Sequence, residues 1–169
     1  SASMPLIKNG TIAEDIWLYL ADDEPLPGYG AIIVSLARWQ RDTELLRARR
    51  APLGIMLASG ERADELLADL PAFELIALDF PTFRDGRPYS TARLLRERYG
   101  FIGELRAVGD VVRDQFLFMH RCGFDSFQVD GGALEDWLRA VSEITIWYQP
   151  TGEALGMLST LRHQQAAAE

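Results

Sequence analysis

Short apolar runs recur along this chain at intervals of roughly 20–30 residues, the length of one strand, one helix and their turns. Five are clear: Ala31-Ile32-Ile33-Val34-Ser35, Gly54-Ile55-Met56-Leu57-Ala58, Glu74-Leu75-Ile76-Ala77-Leu78-Asp79-Phe80, Leu105-Arg106-Ala107-Val108 and Ser126-Phe127-Gln128-Val129. Ile16-Trp17-Leu18-Tyr19-Leu20 is a sixth, weaker run. Helical stretches follow the five clear runs, over about residues 36–50, 63–70, 90–99, 111–122 and 133–144. Strands apolar at consecutive positions are buried on both faces, which is the signature of a parallel sheet under helices. The rhythm predicts an α/β fold: a mainly parallel five- or six-stranded sheet of successive βα units with right-handed crossovers. An open doubly wound sheet is modestly favoured over an incomplete (βα) barrel, in which strands run in sequence order.

Punctuation agrees with this reading. Gly100 and Gly123 stand where helices need a left-handed residue to stop. Asp110 stands as an N-cap ahead of Val111, and Val112, Phe116 and Met119 form an apolar stripe at helical spacing. Residues 1–13 read as a tag remnant ahead of Met4 and a loose lead-in. Residues 14–163 read as one α/β domain with a short helical piece at 153–162, and 164–169 as a disordered tail.

At 169 residues, 48% apolar and 25% charged, the chain is sized and composed for one globular domain. It carries 25 acidic against 17 basic residues, net −8, which argues against broad binding to nucleic acid or to an anionic membrane. No run approaches the length of a membrane span. Lys8 is the only lysine, which leaves little room for Schiff-base chemistry, and no Walker A ending occurs. One cysteine, Cys122, excludes an internal disulfide or a Cys-ligated cluster and fits a reducing cytoplasm.

Catalytic signatures are sparse. Gly28-Tyr29-Gly30 precedes a strand and lacks the third glycine of a dinucleotide loop. His120 and Cys122 are two apart on a helix and diverge, and His163 falls near the end of the chain, so neither a metal site nor a nucleophile–base pair is expected. The four tryptophans are scattered and form no stacking platform.

The densest polar cluster lies where parallel sheets bind ligands, beyond the carboxyl ends of strands. Asp79, Arg84, Asp85, Arg87 and Ser90 leave the third clear run and enter a helix that also carries Arg93 and Arg96 on one face. Asp110, Arg113 and Asp114 leave the fourth. Together with Arg106 they make a rim that could hold a small anion or a partner. Arg106 sits inside a strand read as buried, so its guanidinium needs a partner. Asp79 is the natural one, then Asp110 or Asp130, and a structural pair is favoured over a substrate-facing role.

The stretch from Leu78 to Val129 resembles the bacterial domain-of-unknown-function 934 family. The resemblance is carried by Asp79-Phe80-Pro81, Phe83-Arg84-Asp85-Gly86-Arg87, Ser90, Ala92 to Arg98, Gly103 to Asp110, Arg113-Asp114-Gln115 and Arg121-Cys122-Gly123-Phe124-Asp125. Members are loosely described as oxidoreductases involved in sulfite reduction, on the strength of gene neighbourhood with sulfite reductase and adenylyl-sulfate reductase. The resemblance thus implies a role in sulfur assimilation. The chain lacks the cysteines for a sirohaem-linked cluster and any recognisable flavin or NADPH loop. The expectation is a cytoplasmic accessory protein without a cofactor or metal of its own, docking on sulfite reductase. The alternative is an enzyme acting on a small anion such as sulfate or sulfite at the arginine/aspartate rim.

Overall fold

The computed structural model describes residues 4–148, with side chains to residue 142. Eight strands form one sheet. The parallel strands are β3 (Trp17–Tyr19), β4 (Ala31–Ser35), β5 (Leu53–Leu57), β6 (Leu75–Phe80), β7 (Glu104–Gly109) and β8 (Ser126–Gln128). Two short strands, β1 (Leu6–Lys8) and β2 (Thr11–Ala13), extend the sheet antiparallel beyond β8. The order across the sheet is β2-β1-β8-β7-β6-β5-β4-β3.

The mainly parallel α/β fold stands, but the strand count is eight rather than five or six, because residues 6–13 pair instead of forming a loose lead-in. Three-residue strands are too short to show periodicity; β1 is marked by burial, with Leu6 3% and Ile7 1% exposed, whereas Ile12 of the outermost strand β2 is 56% exposed.

The six parallel strands lie in sequence order, with no switch point. Right-handed crossovers between sequential neighbours all fall on one side of a sheet. That corrects the preference for a doubly wound sheet, whose helices occupy both faces, and matches the strand order of the incomplete barrel. The sheet also curls. In a flat sheet β3 and β8, five steps apart, would be separated by about 24 Å. The Tyr19 hydroxyl nevertheless donates to Gln128 Oε1 at 2.7 Å, so the two ends of the parallel series face each other across a concave side.

Two cores follow from the two faces. On the convex face Ile32, Val34, Ile55, Leu57, Ile76, Leu78, Leu105 and Phe127 pack under the helices. On the concave face Ile33, Leu75, Ala77 and Val108 form a smaller cluster with Trp17, Tyr19 and Met56. Gly54 is what admits the Trp17 ring: a Cβ there would lie 3.1 Å from Ile33 and 3.2 Å from Trp17.

Several helices are shorter than their patterns suggest. Residues 36–50 form two, α1 (Leu36–Arg41) and α2 (Thr43–Ala48), broken at Asp42, whose carboxylate binds Arg38 at 2.6 Å. The stretch after β5 is 3-10 (Ala63–Ala72) and contains Pro71. The helix after β6 is α3 (Arg87–Arg93), running directly into a π-helical turn, Leu94–Arg98. Asp110 does not cap a helix at Val111: its carboxylate accepts the Phe83 N–H, and a 3-10 turn, Arg113–Gln115, delays α4 to Phe116–Cys122. Gly100 (φ +68°) and Gly123 (φ +111°) are left-handed as expected. After β8 a 3-10 turn leads into α5 (Leu134–Tyr148). The helical piece at 153–162, the tail at 164–169 and His163 lie outside the described residues.

Candidate functional site at the carboxyl rim

The residues proposed from sequence do not form one cluster. Asp79, Arg84, Asp85, Arg87, Ser90 and Asp110 share the carboxyl rim of β6 and β7. Asp79 is the fifth residue of β6, opposite Val108 of β7, and Asp110 follows β7 directly, its N–H donating to Phe80 O at 2.7 Å. Gly109 makes this junction possible. It has φ +87°, and a Cβ there would lie 2.4 Å from Phe80 O and 2.5 Å from Asp79 Oδ1. Burial, and then the charge of Asp85, push the Asp79 carboxyl above the usual carboxylate range. Asp79 accepts no hydrogen bond from another described residue.

Arg87 and Asp85 form a closed pair. Arg87 Nε and Nη2 reach the Asp85 carboxylate at 3.0 and 2.7 Å, and Nη2 also meets the Ser59 hydroxyl at 2.9 Å. The Arg87 guanidinium and backbone N–H hold the Asp85 carboxyl well below its ordinary range. Between Asp79 and this pair, the loop 81–86 is exposed but pinned. Phe83 N–H donates to Asp110 Oδ2 at 2.8 Å, and Asp85 N–H to Thr82 O at 3.1 Å. On it Phe83 is 39% exposed, with the Arg84 guanidinium 5.3 Å from its ring centre.

Arg113 and Asp114 turn away from this cluster. They face each other at 3.5 Å, and Arg113 reaches Asp136 of α5 at 3.8 Å. Arg93 is exposed on α3 and interacts with Cys122 of α4. Burial raises that thiol. Arg96, taken with Arg93 as one face, is a staple instead. Its guanidinium donates to the carbonyls of Phe101, Gly103 and Gly123 and to Asp125 at 2.5 Å.

Arg106 leaves the rim altogether. It is 1% exposed on the concave face, and its guanidinium points toward the amino end of the strands. Its partners are not Asp79, Asp110 or Asp130. Nη1 donates to both Asp15 oxygens at 3.2 and 3.1 Å, and Nη2 to Glu104 Oε2 at 3.0 Å. Ser126 Oγ donates to the same Glu104 oxygen at 3.0 Å, and Lys8 Nζ to the other at 2.5 Å. Burial opposes the Glu104 charge, but Lys8, Arg106 and Ser126 outweigh it and hold the carboxyl below its ordinary range. This is the buried structural pairing expected for Arg106, supplied by residues the sequence analysis passed over. The signal was parity: Glu104, Arg106, Ser126 and Gln128 share one face.

A second feature went unnoticed in sequence. A groove of about 760 Å³ runs between the residues after β5 and the helix starting at α3. Ser59, Arg62, Arg87, Ser90, Arg98 and Tyr99 are among its walls. Arg87, Ser90, Thr91, Leu94 and Arg98 recur at helical spacing, which is the pattern that could have found it.

Among the described residues no group of three or more His, Cys, Asp or Glu side chains is placed to hold a metal ion, and no helix is long and apolar enough to cross a membrane. Residues 54–156 match the pattern of a family described as a bacterial protein of unknown function, DUF934. No curated protein and no solved structure is significantly similar to the chain.

Proposed function

The chain belongs to the DUF934 family, and from that premise we propose that it is an accessory protein of assimilatory sulfite reduction, docking on sulfite reductase and carrying no redox cofactor of its own. The link to sulfite comes through the family resemblance. The docking mode rests on one structural observation: the pinned, exposed loop 81–86 with Phe83 and Arg84 stacked on it. Aromatic and arginine side chains dominate binding energy at protein interfaces, and a loop already held in place loses little entropy on binding. The rim's other charges favour the same reading. Arg87, Arg113 and Arg106 are each engaged by neighbouring acids, so they do not converge on one small anion. A small-anion enzyme at this rim would need that convergence.

The test is capture of sulfite reductase by the purified protein, followed by a sulfite reduction assay with each alone and both together. Phe83→Ala and Arg84→Glu touch no buried partner and should leave the melting temperature unchanged while weakening capture by tenfold or more, roughly the cost of losing one interface anchor. Capture unaffected by both variants would place the interface elsewhere. NADPH-dependent sulfite turnover by the protein alone, or stoichiometric flavin released on denaturation, would overturn the accessory role.

A further inference from the structure

We infer that the free edge of β3 takes up an extended segment of a partner protein as a further strand, one that carries an apolar residue between basic ones. The inference goes beyond the docking loop 81–86 and does not depend on it. β3 ends the sheet and pairs only with β4. Residues 14–16 join it to β2 at the opposite edge, yet the two strands do not pair. In a parallel ladder alternate residues turn their N–H and C=O to the same side. The Leu20 N–H donates to Ile33 O at 2.9 Å, so Leu18 and Leu20 face β4, and Trp17 and Tyr19 face outward. The Trp17 N–H is taken by Asp15 Oδ1 at 3.0 Å. The Trp17 carbonyl and both backbone groups of Tyr19 have no partner among the described residues.

The side chains of this edge are apolar. Leu18 stands beside Ile32 of the convex core but is itself 55% exposed, and Ile16 is 66% exposed. An apolar strand with unpaired backbone groups is a template for another strand. Charge names the occupant. Glu14 lies before Leu18, and Asp22, Asp23 and Glu24 lie after it, all exposed and without an ion pair to a described residue. Asp22 and Glu24 accept only neutral donors, the Ser35 hydroxyl and the Ala21 N–H. Arg38 and Arg41 brace this turn through its carbonyls, and their own ion pairs are with Asp42. Four acids, Asp42 included, thus stand against two arginines there, and Glu14 adds a charge at the other end. The same acids exclude a second copy of the chain. Antiparallel pairing of Tyr19 with itself, or with Trp17, sets Glu14 opposite Glu24 or Asp22 of the copy, and like charges opposed across strands destabilise the pair. A segment with an apolar residue beside Leu18 and lysine or arginine about four residues to either side meets every feature of the edge.

The experiment titrates the isotope-labelled full chain with the peptide Lys-Thr-Thr-Thr-Val-Thr-Thr-Thr-Lys, whose threonines and valine favour extended backbone, and follows amide hydrogen exchange by NMR. Saturable binding is expected. The Tyr19 amide gains an acceptor, so at about nine-tenths saturation it should exchange about tenfold more slowly, leaving only from the free fraction. Leu18→Lys should abolish binding by placing a charge where the apolar contact forms. Glu14→Gln with Asp23→Asn should weaken it about tenfold, two exposed ion pairs of about threefold each. All three positions are exposed, and unchanged melting temperatures verify the fold. Equal binding of the peptide with both lysines replaced by glutamate, a Tyr19 amide that exchanges as fast in the saturated complex, indifference to the variants, or no saturation would overturn the inference. A chain that sediments as a dimer, and as a monomer after Leu18→Lys, would overturn it too, because a second copy would then hold the edge. The titration needs no reductase, and failure to capture the reductase through Phe83 and Arg84 leaves its outcome unchanged.

Discussion

Arg106→Leu tests the charge network on the concave face. The wild-type guanidinium is 1% exposed and makes three hydrogen bonds to two carboxylates whose side chains are themselves only 17% and 13% exposed. Removing it strands both acids in a site that cannot solvate them. Breaking a buried pair costs about 3–5 kcal/mol. The lower end applies here, because each acid keeps other donors. Glu104 retains Lys8 at 2.5 Å and Ser126 at 3.0 Å, and Asp15 retains the Trp17 N–H at 3.0 Å. A loss of about 3 kcal/mol, with a urea slope of about 2 kcal/mol per M, lowers the denaturation midpoint by about 1.5 M.

Two further arms separate the cause from mere loss of volume. Adding Asp15→Asn to the leucine variant removes one stranded charge and should recover about 1 kcal/mol, whereas two independent losses would add. Arg106 is one of the groups that hold the Glu104 carboxyl below its ordinary range, so its loss lets that stranded acid bind a proton more readily in the variant. The penalty for its charge is fully present at pH 7 and fades as it is protonated, so the gap to wild type should narrow between pH 7 and pH 4. A midpoint within about 0.3 M of wild type, or a gap constant over that range, would refute the reasoning.

Gly109→Ala should cost roughly 3 kcal/mol or more, because φ is +87° and the new Cβ meets a backbone oxygen; thermal melting reads the loss. Arg96→Met should cost about 3 kcal/mol by uncapping three carbonyls and Asp125 at once, and hydrogen exchange should rise first around Phe101 to Leu105. Asp79→Asn should raise the melting temperature at pH 7. An acid whose folded pKa is raised destabilises the fold above its unfolded value, so the gain should vanish below about pH 4; an unchanged or lowered melting temperature at pH 7 would show that the Asp79 charge is stabilising.

What the sequence disclosed depends on how many residues carry each signal. Five of the six parallel strands were legible because each is a run of apolar residues at a regular interval, and 31–35 was placed to the residue; the weaker run at 16–20, off that interval, became β3. The left-handed helix stops at Gly100 and Gly123 were legible because few residues tolerate that backbone. β1 and β2 were not, since three residues cannot show a period. The helix expected at Val111 failed because Asp110 had a stronger use for its carboxylate in holding the 81–86 loop. Local capping chemistry cannot announce a partner 27 residues away. The same holds for Arg106. Its need for a partner was readable from one strand, but Asp15 lies 91 residues earlier and comes close only once the sheet curls.

That curl also decides where chemistry is available. Sequential strand order sends every crossover to the convex side and leaves the concave face without helices. Such a face must still be filled. Its middle is filled by Ile33, Leu75, Ala77 and Val108, and its amino end by Asp15, Arg106, Glu104 and Lys8, opposite charges paired with one another. An arginine committed there cannot also serve the carboxyl rim, about the length of a strand away. What remains at the rim is Asp79 at the mouth, with no donor among the described residues attending it, and outside it the loop 81–86 and the groove beside α3, whose walls mix arginines with Glu61 and Asp64. The loop belongs to the β6–α3 connection, while the groove sets the residues after β5 against α3 and the turn that follows it. The residues of that connection also carry the heart of the family resemblance. The exposed side chains of the rim thus lie on its outer side, while the concave interior holds the fold.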